Sequence, residues 1–354
     1  MNTKISRQGF LAGLGSLAAA GAFGSGVPKS KDGLVWAMYN QLGSHDNWNQ
    51  LKNPLAENGH FCGESTLIDD NSWENRMAAA SKNGCNMMCI DLMEAYAYDS
   101  HPELALKGSR SREWLNKWVR RLRDMGIEAI PAINCSTTHS PWMGFWSRRV
   151  STPEYYKFVA DLFAEAYDVF EKPSHMHFGM DEENSDCTAR MCYSLRRQDA
   201  LLWHDINFYA KTISKLGARP WMFSDYEWWR TKEFPEKVSK DILQSNWYYG
   251  FDFDLESLKG NSHTYVESYI RLEKAGFDQM PGCSNWVGGH HIKAGRKVNV
   301  ENIPGTVEFA KRVISKEHLK GFFCMPWLGR SVKSDPMWID AVEQLAKARE
   351  KYFG

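Results

Sequence analysis

From residue 34 onward one pattern recurs eight times: a short apolar run, then a longer stretch with apolar residues at helical spacing. The runs are Leu34–Asn40, Asn86–Leu92, Glu128–Asn134, Met176–Asp181, Pro220–Asp225, Ile242–Asn246, Gln279–Asn285 and Gly321–Trp327. Runs of this length, bounded by turn residues, read as strands. The helical stretches are Asn71–Lys82, Ser111–Met125, Pro153–Phe170, Cys187–Leu216, Thr264–Ala275, Thr306–Ser315 and Pro336–Tyr352, with a short one at Lys232–Val238. Gly126, Gly217, Gly276 and Gly321 fall between a helix and the next strand, where a left-handed residue often ends the helix. Strand and helix alternating eight times predict an α/β fold, a single (β/α)8 barrel over residues 31–354. The rival, a doubly wound open sheet, usually carries a Gly-rich phosphate loop after its first strand. Here that strand ends Tyr39-Asn40-Gln41-Leu42-Gly43, without such a loop.

Residues 1–30 read as an export signal and linker. Lys4 and Arg7 precede the apolar run Phe10–Ala20, and mostly small residues follow through Gly26. Ser6-Arg7-Gln8-Gly9-Phe10-Leu11 is similar to a twin-arginine signal, with Gln8 in place of one Arg. The expected location is therefore periplasmic or extracellular, with no membrane association after signal removal. Lys plus Arg number 43, as do Asp plus Glu, so nothing in the net charge points to nucleic acid. Exported cysteines invite disulfides. Cys187 and Cys192 are the best-spaced local pair, and no CxxC occurs.

Barrel enzymes place their chemistry at the C-terminal ends of the strands. The fourth strand ends in Asp181-Glu182-Glu183. Adjacent carboxylates repel, so a fold that gathers them generally uses their charge or their proton. The alternative is an acidic turn capping the next helix through Asn184. Other strand ends offer Asn40, Glu94, His139, Asp225, Tyr226, Trp247, Asn285, Trp286, Trp327 and Arg330. The chain holds 15 Trp. Several must serve the core, but Trp247, Trp286 and Trp327 share equivalent positions and can wall one pocket. Acids, amides and indoles together suit a polyhydroxylated ligand. His175 and His177 share a strand face, yet no third ligand follows by spacing. His177 is read as a core residue and His290-His291 as a loop, so neither a metal nor a cofactor is assigned. No GxSxG occurs, and Cys135, Cys283 and Cys324 lack an evident His partner.

The run His177-Phe178-Gly179-Met180-Asp181-Glu182 resembles the strand-four motif of family 20 glycoside hydrolases, the β-N-acetylhexosaminidases. The resemblance implies a (β/α)8 hydrolase that retains configuration with help from the substrate's 2-acetamido group. By motif, Glu182 is the acid/base and Asp181 polarises the acetamido group. The chain departs from the family elsewhere. Asn40 and Gln41 stand where the family often has an Arg, Asn285 and Trp286 replace a Tyr and Asp pair, and Leu328-Gly329 follows Trp327 where a Glu is usual.

The expected function is thus an exported, exo-acting glycoside hydrolase on an oligosaccharide or glycoconjugate. Its catalytic pair is Asp181 and Glu182. Its sugar-binding residues are Asp225, Tyr226, Trp247, Asn285, Trp286, Trp327, Arg330, Glu94, Asn40 and His139. Two alternatives stay open: a barrel glycosidase on a sugar without the acetamido group, using another carboxylate pair, and a non-catalytic glycan-binding protein.

Overall fold

The computed structural model describes residues 30–43, 68–189, 194–287, 298–327 and 332–354. Its strands are β1 Val35–Gln41, β2 Met87–Asp91, β3 Glu128–Ala132, β4 His175–His177, β5 Arg219–Phe223, β6 Leu243–Ser245, β7 Gly282–Cys283 and β8 Gly321–Cys324. All pair in parallel, in the order β6-β5-β4-β3-β2-β1-β8-β7. The remaining seam closes through bridges Gln244–Gln279 and Trp247–Gly282. Met280 N–H donates to Gln244 O at 2.8 Å and Gly282 N–H to Asn246 O at 2.7 Å across it. The result is the expected eight-stranded barrel.

One principal helix follows each strand: α1 Asp70–Lys82, α2 Arg112–Asp124, α3 Pro153–Val169, α4 Asp199–Leu216, α5 Glu233–Lys237, α6 Gly260–Lys274, α7 Asn302–Val313 and α8 Asp335–Phe353. The local reasons are ordinary ones. In α2, Leu115, Trp118, Val119 and Leu122 are buried at the three-and-four spacing of one helical face. Ser111 Oγ caps it by accepting Trp114 N–H, and Asp69 caps α1 through the N–H groups of Asn71 and Ser72. Gly217 ends α4 in the left-handed conformation, with φ 105°.

Burial divides into two layers. A barrel-interior cluster contains Ala37, Tyr39, Met87, Cys89, Ile130, Ala132, Trp221, Phe223, Leu243, Met280, Phe323 and Met325. A larger cluster between sheet and helices contains their alternating neighbours, among them Trp36, Met38, Met88, Ile90, Met176, Phe178, Met222, Cys283, Phe322 and Cys324. This period-two division fixes which strand-end residue faces the mouth.

Two expected elements differ. The stretch expected as one helix, Cys187–Leu216, is a single turn at Ser185–Thr188 followed by α4. The connection delivers Arg197 into the interior, where it is fully buried. And β4 stops at His177, because Gly179 and Met180 both take positive φ, 69° and 68°. No helix among the described residues is long and apolar enough to cross a membrane.

Candidate active site

The barrel interior is filled below the mouth. His177 packs among Trp221, Phe223 and Phe323, with ring centres 5.1, 4.4 and 5.6 Å away. Its Nδ1 accepts Gly179 N–H at 3.2 Å. Burial holds its pKa down to about 3, so the ring is neutral, as its reading as a core residue requires. Polar side chains on the inward register begin one layer above.

At that level β4 leaves the sheet. Register pairs Ala132 with His177, so two residues on Asn134 comes against Gly179. A Cβ on Gly179 would lie 1.9 Å from Asn134 Oδ1, so only glycine fits. The Asn134 amide organises the exit. Its Oδ1 accepts the N–H groups of Ser136 and Met180 at 3.0 and 3.1 Å. Its Nδ2 donates to Asp181 Oδ1 at 2.7 Å. Glu182 is again left-handed, φ 62°, and its N–H donates to Asp225 Oδ2 on the β5 side at 2.8 Å. Left-handed non-glycine residues are costly and cluster at functional sites.

Asp181 and Glu182 meet at His139. Its Nε2 lies 3.3 Å from Asp181 Oδ2 and 3.3 Å from Glu182 Oε2. Burial pulls the imidazole pKa down, but the charge and hydrogen bonds of the two carboxyls outweigh it, and the net is well above ordinary. Burial pushes the Asp181 carboxyl up, while His139 and then Asn134 pull it below its usual range. Asp181 is therefore an ionised carboxylate beside an imidazolium. Asp225 behaves oppositely: burial and the Asp181 charge raise it well above the ordinary range. One ligand atom each from His139, Asp181 and Glu182 lies within 4.8 Å of the others, a set that is also able to hold a cation. The His pairs weighed from the sequence do not include it.

The third acid of the motif has another task. Glu183 is wholly buried and grips Arg197, with Nη2 to Oε2 at 2.6 Å and Nε to Oε1 at 3.0 Å. Arg197 also donates to Asp205 Oδ2 at 3.0 Å, Tyr209 Oη at 2.9 Å and Cys135 O at 2.8 Å. This network ties the β4 exit to β3 and α4.

On the opposite side the mouth is aromatic. Trp228 and Trp247 ring centres are 4.6 Å apart, and Trp247 stacks on Tyr249 at 5.1 Å. Tyr249 lies 6.2 Å from Trp286 and 6.4 Å from Trp327. Trp327 reaches Tyr39 at 5.2 Å, whose hydroxyl donates to Asp91 Oδ2 at 2.5 Å. Burial lifts Asp91 to about 7 against the hydrogen bond from Tyr39, and buried Glu94 adds to the rise. Half-buried Trp247 and Trp327 and exposed Trp286 thus line one continuous wall.

Several expected sugar ligands are placed otherwise. Asn40 and Asn285 sit on the outward register and turn toward the helices. Asn40 Oδ1 accepts from Arg76 Nη1 at 3.0 Å, and Asn285 Nδ2 donates to Asp340 Oδ2 at 2.9 Å. Tyr226 is buried in the sheet–helix layer, with the Arg230 guanidinium 5.5 Å from its ring centre. Asp225 faces inward but is engaged with the Glu182 backbone. Glu94 is fully buried beside Asp91. Arg330, Cys192, His290-His291 and the residue 1–29 part of the export signal lie outside the described residues. Tyr39, Asp91 and Asn134 also stand at the polar strand ends in the sequence, though not among the residues expected to bind sugar; all three continue the inward alternation of their strands. A separate groove of about 520 Å³ on the flank of α6 and α7, lined by Phe251, Phe253, Ile270 and Phe309, lies away from these carboxyls.

No family model matches the sequence, and no curated protein matches it significantly. Solved structures do share its fold. Dispersin B is 14% identical over 80% of this chain and 94% of its own, with a TM-score of 0.52. The Flavobacterium johnsoniae chitobiase is 14% identical over 80% of this chain and 46% of its own, TM-score 0.56. The family 20 exo-β-N-acetylglucosaminidase of Vibrio harveyi, solved with N-acetylglucosamine, is 14% identical over 89% of this chain and 54% of its own, TM-score 0.54. The chain therefore spans about half of the latter two proteins. Its barrel has the fold of family 20 β-N-acetylhexosaminidases.

Proposed function

We propose that this protein is a retaining glycoside hydrolase acting on terminal 2-acetamido sugars by substrate assistance. The observation that carries the reading is the convergence of Asp181 and Glu182 on His139 at the barrel mouth, facing an aromatic wall.

Glu182 protonates the glycosidic oxygen as the C1–O bond breaks. The acetamido carbonyl oxygen attacks C1 and forms a cyclic oxazolinium ion. Ionised Asp181, held by Asn134 and His139, accepts a hydrogen bond from the acetamido N–H and stabilises the positive charge. Glu182, now a carboxylate, deprotonates water; the water opens the ring at C1, and the starting configuration is restored. His139 lies against both carboxyls and orients them.

An ordinary double displacement needs a second carboxylate about 5 Å from the first, across the sugar. The inward-facing alternatives are both engaged, Asp225 by the Glu182 N–H and Asp91 by Tyr39. Position 286, the inward end of β7, is Trp. This favours the neighbouring group. The order of basic, apolar and small residues over 4–26 supports export to the compartment where such glycans are met.

The test is hydrolysis of a panel of aryl glycosides, with the first-formed anomer followed by NMR. Release of the β-anomer from a β-linked 2-acetamido glycoside, blocked by a thiazoline mimic of the cyclic ion, is expected. Turnover of glycosides lacking the acetamido group, insensitive to the thiazoline, would move the assignment to another carboxylate pair. Binding of oligosaccharide without any product would make the protein a glycan receptor.

A further inference from the structure

Of three carboxyl groups that meet at the mouth, one has no ion-pair partner among the described residues. Asp181 has His139 and Asn134, and Glu182 shares His139. Asp225, 4% exposed two residues past β5, accepts the Glu182 N–H on its Oδ2. Its Oδ1 is buried with no hydrogen-bond partner among the described residues.

Among the described residues no ion pair compensates it. From β4 it faces the charge of Asp181 and the carboxyl of Glu182, from α6 the phenol of Tyr265, and beside it the phenol of Tyr226. The nearby cations are engaged elsewhere: Arg197 with Glu183 and Asp205, and Arg230 against the Tyr226 ring. A buried carboxylate with one empty oxygen beside two others is the arrangement in which a proton stays on.

We propose that Asp225 is a positioning residue that keeps its proton and, as a neutral acid, holds the left-handed Glu182 so that its carboxyl meets Asp181 at His139. The inference rests on Glu182 being the acid/base. A left-handed glutamate is an uncommon conformation, and Asp225 accepts its amide N–H. Because Asp225 is neutral, it anchors that amide without adding a further charge. Oδ2 is the acceptor and the buried Oδ1 carries the proton. This replaces the reading of Asp225 as a hydroxyl ligand.

Kinetics and spectroscopy of the full chain separate the possibilities. Asp225→Ala removes the acceptor and is expected to lower kcat about 100-fold, with KM within about threefold, because aim rather than affinity is lost. Asp225→Asn keeps a neutral acceptor and is expected to recover at least about tenfold of that loss, with the pH profile of kcat close to wild type. An Asn variant as impaired as the Ala variant overturns the proposal, since charge would then be essential. So does an Ala variant with unaltered kcat. Infrared difference spectra at pH 7 between wild type and Asp225→Asn should show the carbonyl band of one neutral carboxylic acid disappearing. Absence of that band overturns the proton assignment whatever the activity. Its presence in a protein that hydrolyses nothing leaves neutral Asp225 standing and removes the hydrolase reading instead.

Discussion

The amide of Asn134 and the carboxylate of Asp181 are joined at 2.7 Å, Nδ2 to Oδ1, while the other end of the same amide accepts the N–H groups of Ser136 and Met180. Both ends are used, so only a residue that donates and accepts at once can hold the β4 exit and the charge beside it. Asn134→Asp places a carboxylate against Asp181 and removes the donor. It should lower kcat by about two to three decades, from lost electrostatic preorganisation. Asn134→Ala should cost about one to two decades. Steady-state kinetics alongside thermal melts check both, and a wild-type kcat in Asn134→Asp would contradict the role.

Gly179 depends on the same contact. Its φ is +69° and an added methyl would overlap Asn134 Oδ1. Gly179→Ala should destabilise by about 3 kcal/mol or more, a clash and backbone strain together. Denaturant unfolding measures this. A loss under about 1 kcal/mol would mean that Asn134 yields easily and does not set the exit.

Arg197 and Glu183 form a wholly buried pair with Asp205 as a second acid. Arg197→Met strands two buried carboxylates and should cost about 3–5 kcal/mol. Adding Glu183→Gln should recover part of that cost, because one uncompensated charge is gone. Urea unfolding of the single and double variants reads it directly.

The barrel was legible because period-two strands and period-3.6 helices alternate with glycine stops, and the eight runs lie where β1 to β8 lie. The carboxylate cluster was legible as adjacency. Its division of labour was not. Glu183 looks like its two neighbours until Arg197, fourteen residues on, is buried against it, and no spacing rule connects them. Asn40 and Asn285 were misplaced by position alone. Counting by two from Tyr39 and from Met280 puts both on the helix side, whereas the same count selects Asn134, Asp181, Asp225 and Trp327. The early end of β4 arises from the contact of Gly179 with Asn134 on another strand, which local propensity does not encode.

Asp91 makes stability depend on pH. Its carboxyl titrates at about 7 in the folded chain and near the ordinary value of about 3.9 when unfolded. Between these values the folded state holds a proton that the unfolded chain has lost. Stability from this group is therefore full below about pH 4 and declines as pH rises toward 7. Asp91→Asn should flatten that decline, seen by comparing unfolding free energies at pH 5 and 8, about two units below and one unit above the folded titration. Parallel pH profiles for wild type and variant would contradict the assignment.

The most direct test of the central claim is turnover by Glu182→Gln on two aryl 2-acetamido-2-deoxy-β-glycosides, one with a phenol leaving group and one with a dinitrophenol. Removing the acid should slow cleavage of the phenyl glycoside by about two to four decades. The first step for the dinitrophenyl glycoside needs little protonation and should be far less affected. Wild-type turnover on both substrates would contradict the claim that Glu182 delivers the proton at the barrel mouth.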